Sequence, residues 1–338
     1  MTHRPALTPV TVVTGFLGSG KTTLIARLLQ HPHLSNTAVI VNEFGEVGLD
    51  HALLERLDGE TVLLPRGCVC CMVNGTIAGT LEGLDIRRIN GEIPAFGRVI
   101  IETTGLANPA PILQTLLDRN VLLRGFTPGL VVTTVDAVNG AATLERYAEA
   151  VQQVALADRI LLTKPDLADG AALSGILSAL NPGAPVISVL QGGIAPDALT
   201  LASATDVMLL QSRIASSRFV ATSGHIRTMA TLTLCLATAP EFTVLAEWLG
   251  ALAGHHGEHL LRVKGIVRIH GQERPLAVHG VQHVFHPPTL LDCWPAGLAM
   301  STLVFILDEM DPRIVLDAAR AAGLDAYRFA EQQEATHA

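Results

Sequence analysis

The run Thr14-Gly15-Phe16-Leu17-Gly18-Ser19-Gly20-Lys21-Thr22-Thr23 constrains the chain more than any other stretch. A glycine-rich turn that ends in Gly-Lys-Thr can work only between a strand and a helix, where it holds nucleotide phosphates. Both flanks fit. Val10-Thr11-Val12-Val13 has the composition of a short buried strand, and Thr22 to Leu29 carries the apolar spacing of a helix. Gly15, Gly18 and Gly20 permit backbone conformations that a Cβ would hinder, so successive N–H groups can face phosphate oxygens. Lys21 then reaches the β- and γ-phosphates, and the Thr22 hydroxyl ligates Mg²⁺. Ser19 and Thr23 complete the loop's contacts, and the new helix adds the partial positive charge of its N-terminus.

This motif belongs to an α/β fold, and the rest of the chain agrees. From Val10 to about Val189, short β-branched runs alternate with longer helical patterns, which predicts a phosphate-loop domain on a mainly parallel sheet. Strands are expected at Ala38-Val41, Thr61-Leu64, Val99-Glu102, Leu130-Val135, Arg159-Leu162 and Val186-Val189. The 338 residues exceed one compact domain, and periodicity fades between about Leu190 and Ser223. The expected division is a nucleotide domain over 8–205, a linker over 206–224 and a smaller α+β domain over 225–325. In the last, Ile226, Thr228, Ala230, Leu232, Leu234 and Leu236 follow the two-residue period of a strand. Phe242, Leu245, Leu249 and Leu252 follow a helix, further strands are expected at Leu260-Ile269, Leu276-Phe285 and Ser301-Leu307, and Asp311-Pro312 begins a helix over Arg313-Ala322.

A net charge of −8 gives no basic footprint, so nucleic acid and anionic membranes are not expected partners. No run reaches the ~18 uninterrupted apolar residues of a membrane span, and no signal-peptide pattern precedes the first strand, so a cytoplasmic location is expected. Five cysteines, three of them within positions 68 to 71, speak for a reduced compartment rather than a disulfide framework.

Two further segments extend the nucleotide site. Arg98-Val99-Ile100-Ile101-Glu102-Thr103-Thr104-Gly105 is an apolar strand that ends in an acid, with a glycine three residues on. Glu102 would hold Mg²⁺ through water, and the Gly105 N–H would meet the γ-phosphate as a switch. Ile160-Leu161-Leu162-Thr163-Lys164-Pro165-Asp166 is a strand followed by a turn whose carboxylate can accept from guanine N1–H and N2–H₂, a donor pair adenine lacks. Lys164 would lay its stem over the base, and Thr163 stands where guanine-binding proteins more often carry Asn.

Cys68, Cys70 and Cys71 lie between the phosphate loop and Glu102, in the part of a GTPase that rearranges with nucleotide. Thiolates suit Zn²⁺ and other borderline ions. In an extended segment Cys68 and Cys70 face the same way and can share an ion, and Cys71 joins them only where the chain turns. A four-coordinate ion needs another donor, for which Asn42-Glu43-Phe44-Gly45-Glu46 offers Glu43 and Glu46. Nine of the 13 histidines lie at or beyond position 225, among them His255, His256, His259, His279, His283 and His286. With no long histidine tract, they read as surface or hydrogen-bonded side chains more than as a loading surface.

GFLGSGKTT, NEFGE, GCVCC, ETTG and TKPD, in this order, resemble the CobW-like GTPases, a family of metallochaperones within the SIMIBI class. The resemblance extends to Arg262-Val263-Lys264-Gly265, His279-Gly280-Val281-Gln282-His283 and Trp294-Pro295, which look like the family's C-terminal domain. It implies GTP hydrolysis coupled to delivery of a transition metal, commonly zinc or cobalt, to a client metalloprotein. In some relatives the residue before NEFGE is an acid that helps bind the metal; here it is Val41, so a second chain, in a homodimer, is one source of the missing ligand. The expected set is then Lys21, Glu102 and Glu43 for catalysis, with Glu102 or Glu43 positioning the attacking water. Thr22 and Glu102 serve Mg²⁺, and Cys68, Cys70, Cys71 and Glu46 serve the transition metal. A nucleotide-regulated metal buffer or sensor without hydrolysis, and a phosphate-loop ATPase or kinase, are the rival readings.

Overall fold

The computed structural model describes residues 7–34, 36–41, 55–56, 61–64, 68–72, 76–190, 193–194, 229–294 and 300–329. Of residues 55–72 and Arg119 only the backbone is described. The chain forms two compact units, one of residues 1–174 and 186–201, the other of residues 175–185 and 202–338. The linker expected over 206–224, and the first residues of the strand expected from Ile226, lie outside the described residues.

The first unit is built on strands β1 (Thr8–Gly15), β2 (Thr37–Val41), β3 (Glu55–Arg56), β4 (Thr61–Leu64), β5 (Cys68–Met72), β6 (Arg98–Glu102), β7 (Phe126–Asp136), β8 (Arg159–Thr163) and β9 (Val186–Val189). They form one sheet in the order β3-β4-β5-β2-β6-β1-β7-β8-β9. From β5 to β9 every neighbouring pair is parallel. Parallel strands are covered by crossover helices on both faces, and so they read as near-continuous apolar runs. Val39 to Val41, Val99 to Ile101, Val131 and Val132, and Ile160 to Leu162 are all buried. The crossovers are made by α1 (Lys21–Leu29), α2 (Ile77–Ile89), α3 (Ala110–Leu117), α4 (Arg119–Leu123), α5 (Gly140–Arg146), α6 (Ala148–Ala155) and α7 (Ala171–Leu180).

One edge departs from the expected pattern. The strand at Thr61–Leu64 is present but runs antiparallel to β5, with Thr61 opposite Cys71 and Leu64 opposite Cys68. Only residues 65–67 separate the two strands, too short a connection for the crossover that a parallel pair needs. The cysteine segment is itself a strand in the sheet, parallel to β2.

The second unit is antiparallel. Its strands are β10 (Met229–Leu236), β11 (Leu260–Val267), β12 (Leu276–Val281), β13 (Val284–Phe285), β14 (Thr289–Leu290), β15 (Ser301–Asp308) and β16 (Ala326–Arg328). Their order is β13-β12-β11-β15-β10-β16, with β14 on β12. Leu232, Leu234 and Leu236 share one core with Leu303, Phe305 and Leu307, the alternate residues of paired strands. Helices α8 (Phe242–His256) and α9 (Pro312–Ala321) supply Leu245, Trp248, Leu249 and Leu252, and Val315, Leu316 and Ala319, to that core. Trp248 meets Phe305 edge-on at 5.8 Å between ring centroids. The Asp311 carboxylate accepts from the Arg313 N–H at 2.8 Å, and Pro312 occupies the first turn, as the sequence led one to expect. None of the described helices is long and apolar enough to cross a membrane.

Candidate functional site

Because β1, β6, β7 and β8 are neighbours running in one direction, their carboxyl ends meet at one edge of the sheet. Each ends at a residue with chemistry: Gly15, Glu102, Asp136 and Thr163. The order reverses around β1, so the crevice there is where an open α/β sheet binds its ligand.

The loop from β1 to α1 is shaped for an anion. Gly15 has φ +143°, and a Cβ there would lie 2.4 Å from the Thr134 carbonyl and 2.7 Å from the Ser19 hydroxyl. Gly18 and Gly20 also have left-handed φ, at 70° and 93°. Gly20 is the N-cap of α1, no side chain caps the helix, and its first turn holds no acid. The helix thus opens onto the loop with no side chain capping it and no acid offsetting its positive end, as an anion site requires. Lys21 is buried, its Nζ donating to Gly15 O at 2.8 Å and Phe16 O at 3.2 Å. Ser19 is buried as well, its hydroxyl 2.6 Å from that of Thr134 on β7.

A cleft of about 240 Å³ lies over this loop, lined by Gly18, Gly20, Lys21, Thr22 and Thr23, by Val41 and Glu102 to Gly105, and by Lys164. The Thr22 hydroxyl donates to Glu102 Oε1 at 2.7 Å. A hydroxyl and a buried carboxylate side by side at the start of the helix are a hard-oxygen donor set, which suits Mg²⁺. Thr103 follows, tied back to the loop strand by its N–H on Val13 O at 3.0 Å and by its hydroxyl on that of Thr14 at 2.8 Å. Gly105 packs so close to Leu17 that a Cβ would come within 2.7 Å of the Leu17 nitrogen. The turn singled out as a switch therefore lies directly on the phosphate loop.

The TKPD turn is joined to the same loop. Thr163 is buried, and its hydroxyl donates to Ser19 O at 2.8 Å and to Val135 O at 3.3 Å. It serves the site by bracing the phosphate loop, a task a hydroxyl performs without the amide of Asn. Lys164 takes a left-handed φ of 55° and spans from Gly18 O, at 3.0 Å, to Asp136 Oδ2, at 2.6 Å. Asp166 is exposed at the turn, open to a base.

Two residues of this site escaped the sequence reading. Burial by itself would raise the Asp136 carboxyl, but the Lys164 hydrogen bond, the Val138 N–H, the Asn139 amide and the Lys164 charge outweigh it and hold the pKa below the ordinary carboxylate value. Asp136 stays ionised and anchors Lys164. The signal was available, since the run from Leu130 to Val135 ends in an acid just as β6 does. The other is Gln153 on α6, a polar side chain on a face that also buries Ala150, Val151 and Val154.

Cys68, Cys70 and Cys71 lie on β5, where Cys70 is opposite Val39 and Cys71 opposite Ile40 of β2. Val41, the last residue of β2, pairs with Met72 on one side and Glu102 on the other. The cysteine strand thus ends at the nucleotide edge of the sheet, one strand removed from β6. The cysteine side chains, together with Glu43 and Glu46, lie outside the described residues. Among the described residues no group of three or more His, Cys, Asp or Glu side chains is placed to hold a metal. In the second unit His255, His259, His283 and His286 each donate Nδ1–H to a backbone carbonyl, of Ala251, Asp308, Ala253 and Pro287.

The family model of the CobW/HypB/UreG nucleotide-binding domain matches residues 9–188, and that of the cobalamin synthesis protein cobW C-terminal domain matches residues 229–322. The zinc chaperone YjiA of Escherichia coli is 34% identical over 300 residues, 88% of this chain and 93% of the relative. The zinc chaperone CobW of Pseudomonas aeruginosa is 30% identical over 350 residues, 93% of this chain and 91% of the relative. Among solved structures, that of the Zn(II)-bound YjiA GTPase from E. coli superposes with a TM-score of 0.73 at 30% identity, covering 94% of this chain and 99% of that one.

Proposed function

The chain belongs to the CobW/HypB/UreG family, and on that premise we propose that it hydrolyses GTP and uses the nucleotide cycle to hand a transition metal to client metalloproteins. Zinc is the first cargo, because the relatives that align along nearly their whole length are named zinc chaperones; cobalt is the second. The observation that carries the reading is the position of β2, between Glu102 of the nucleotide cleft and the strand of the cysteine motif. The NEFGE segment follows directly after Val41 in the sequence, with Glu43 and Glu46 as its candidate donors.

In this reading the loop N–H groups and Lys21 hold the β- and γ-phosphates. Lys21 exchanges its contacts with Gly15 O and Phe16 O for phosphate oxygens. Thr22 and Glu102 hold Mg²⁺, which neutralises charge on the phosphates as the bond to the γ-phosphate breaks. Asp166 accepts from guanine, with Lys164 fixed beside it by Asp136. Water is the nucleophile, positioned by Glu102 or Glu43, and the Gly105 N–H senses the γ-phosphate. Bound GTP and Mg²⁺ change the geometry offered by Cys68, Cys70, Cys71 and Glu46, and hydrolysis releases the ion. Coupling of this kind is reciprocal, so zinc changes nucleotide affinity by the factor by which nucleotide changes zinc affinity. We place the protein in the cytoplasm, acting on its client alone or as a homodimer.

The test is a titration of Zn²⁺, then Co²⁺, into metal-free protein carrying Mg²⁺ with either GDP or a non-hydrolysable GTP analogue. We expect affinities that differ by about tenfold between the two states, roughly 1.4 kcal/mol, and a difference that disappears in Cys70→Ser. Equal affinity in both states, or binding indifferent to Cys70, overturns the carrier reading in favour of a different client process.

A further inference from the structure

Gln153 is 1% exposed, in the middle of α6, and its carboxamide does one thing. Nε2 donates to Gly105 O at 3.1 Å and to Ala107 O at 3.0 Å, across 48 and 46 residues of sequence. Both partners are carbonyls, which only accept, so the NH₂ end of the amide must face them. The other end, Oε1, is buried with no hydrogen-bond partner among the described residues. An unpaired buried acceptor is a net cost to the fold, so packing alone would favour an apolar side chain of the same shape. The amide's contribution is its grip on the turn.

That turn is the one between Glu102 and α3, and it is held from two directions. Gly105 rests on Leu17 of the phosphate loop, while its carbonyl and that of Ala107 are held from α6. Fixing two carbonyls two residues apart holds the peptide planes that bracket Leu106 and Ala107, so the chain that leaves Gly105 is fixed in direction. The grip itself is anchored to the sheet. The Thr133 hydroxyl donates to the backbone carbonyl of Gln153 at 2.7 Å, and the next residue, Thr134, meets Ser19 of the phosphate loop. Strand β7 therefore sets the position of the phosphate loop through one residue and of the Gly105 turn through its neighbour.

We propose that Gln153 is a positioning residue for GTP hydrolysis, holding the Gly105–Ala107 turn in the arrangement with which it meets the γ-phosphate. The inference rests on the reading of Gly105 as the γ-phosphate sensor. Gln153 touches no substrate and acts only through the turn. Its loss is therefore felt in the triphosphate state and in kcat, and not in the binding of GDP, whose phosphates lie on the loop.

The test uses the full-length protein and Gln153→Met, which keeps the side chain's length and removes its donors. Affinities for GDP and for a non-hydrolysable GTP analogue are measured with Mg²⁺, alongside kcat and KM for GTP and hydrogen exchange over residues 103–107. The expected result is GDP affinity within twofold of wild type, which also shows that the variant folds. With it go a loss of about fivefold or more in preference for the analogue over GDP and a fall of about tenfold in kcat. In the wild type, residues 103–107 should exchange more slowly with the analogue than with GDP. If they do, and Gln153→Met nonetheless keeps wild-type kcat and preference, the inference is wrong and the sensor reading stands. Equal exchange in the two wild-type states overturns the sensor reading, and this inference with it. A variant that loses GDP and analogue affinity alike assigns Gln153 to the stability of the loop and also overturns it.

Discussion

The two sheets of this protein use their strands differently. In the first unit the strands from β5 to β9 run in one direction, so residues as distant in sequence as Lys21, Glu102, Asp136 and Lys164 come to the same edge. In the second, neighbouring strands alternate in direction, and their connections fall at both ends of the sheet. Its histidines follow that pattern. His255 on α8, His259 on the turn after it and His283 beyond β12 are each satisfied by a backbone carbonyl. Parallel order concentrates chemistry that the sequence scatters; antiparallel order leaves it distributed, however many candidate ligands the segment carries.

Three substitutions bear on that contrast, in descending order of effect. Lys21→Ala removes the ammonium at the centre of the parallel edge. Loss of one preorganised charge-stabilising group costs about 10²–10³ in rate, so kcat/KM for GTP should fall by that factor in a phosphate-release assay. A fall of only a few-fold would deny that the edge concentrates catalysis.

Asp136→Asn tests the electrostatics of the same edge. A carboxyl whose folded pKa lies below its unfolded value contributes stability that is complete above about pH 4 and is lost as pH falls through the folded value. The wild type should therefore be the more stable protein at pH 7, and its margin over the asparagine variant should shrink by pH 3, read as the difference in Tm. A margin independent of pH would remove the Asp136–Lys164 pair from the account.

His283→Ala should do least. Its bond to Ala253 O lies in the antiparallel unit, and a hydrogen bond of this kind contributes about 0.5–1.5 kcal/mol. Urea unfolding should register that much or less, with kcat for GTP and zinc stoichiometry unchanged. If zinc stoichiometry falls, the second unit does gather ligands, and the contrast fails.

How far the sequence could be read depended on how local each interaction is. The phosphate loop was legible because ten consecutive residues carry it, glycines included, and Glu102 and the TKPD turn because each ends an apolar run. Thr61–Leu64 was legible as a strand but not in its direction, which follows from the short connection to Cys68. Gln153 was not legible at all as a site residue. Its partners lie 46 and 48 residues away, and the only trace in its own segment is a polar side chain on an apolar helix face. The role of Thr163 as a brace for Ser19 needed the packing of β8 against the loop, 144 residues apart.

The ammonium of Lys21 leaves bulk water when the chain folds, not when nucleotide arrives, because Gly15 and Phe16 already hold it inside the loop. A phosphate entering the cleft meets a cation already held in place by two loop carbonyls. Folding and affinity are in this sense two readings of one quantity. Anything that slackens β1 against β7, however far from the ligand, should weaken nucleotide binding even with every contacting atom in place, which makes nucleotide affinity a gauge of tension in the sheet.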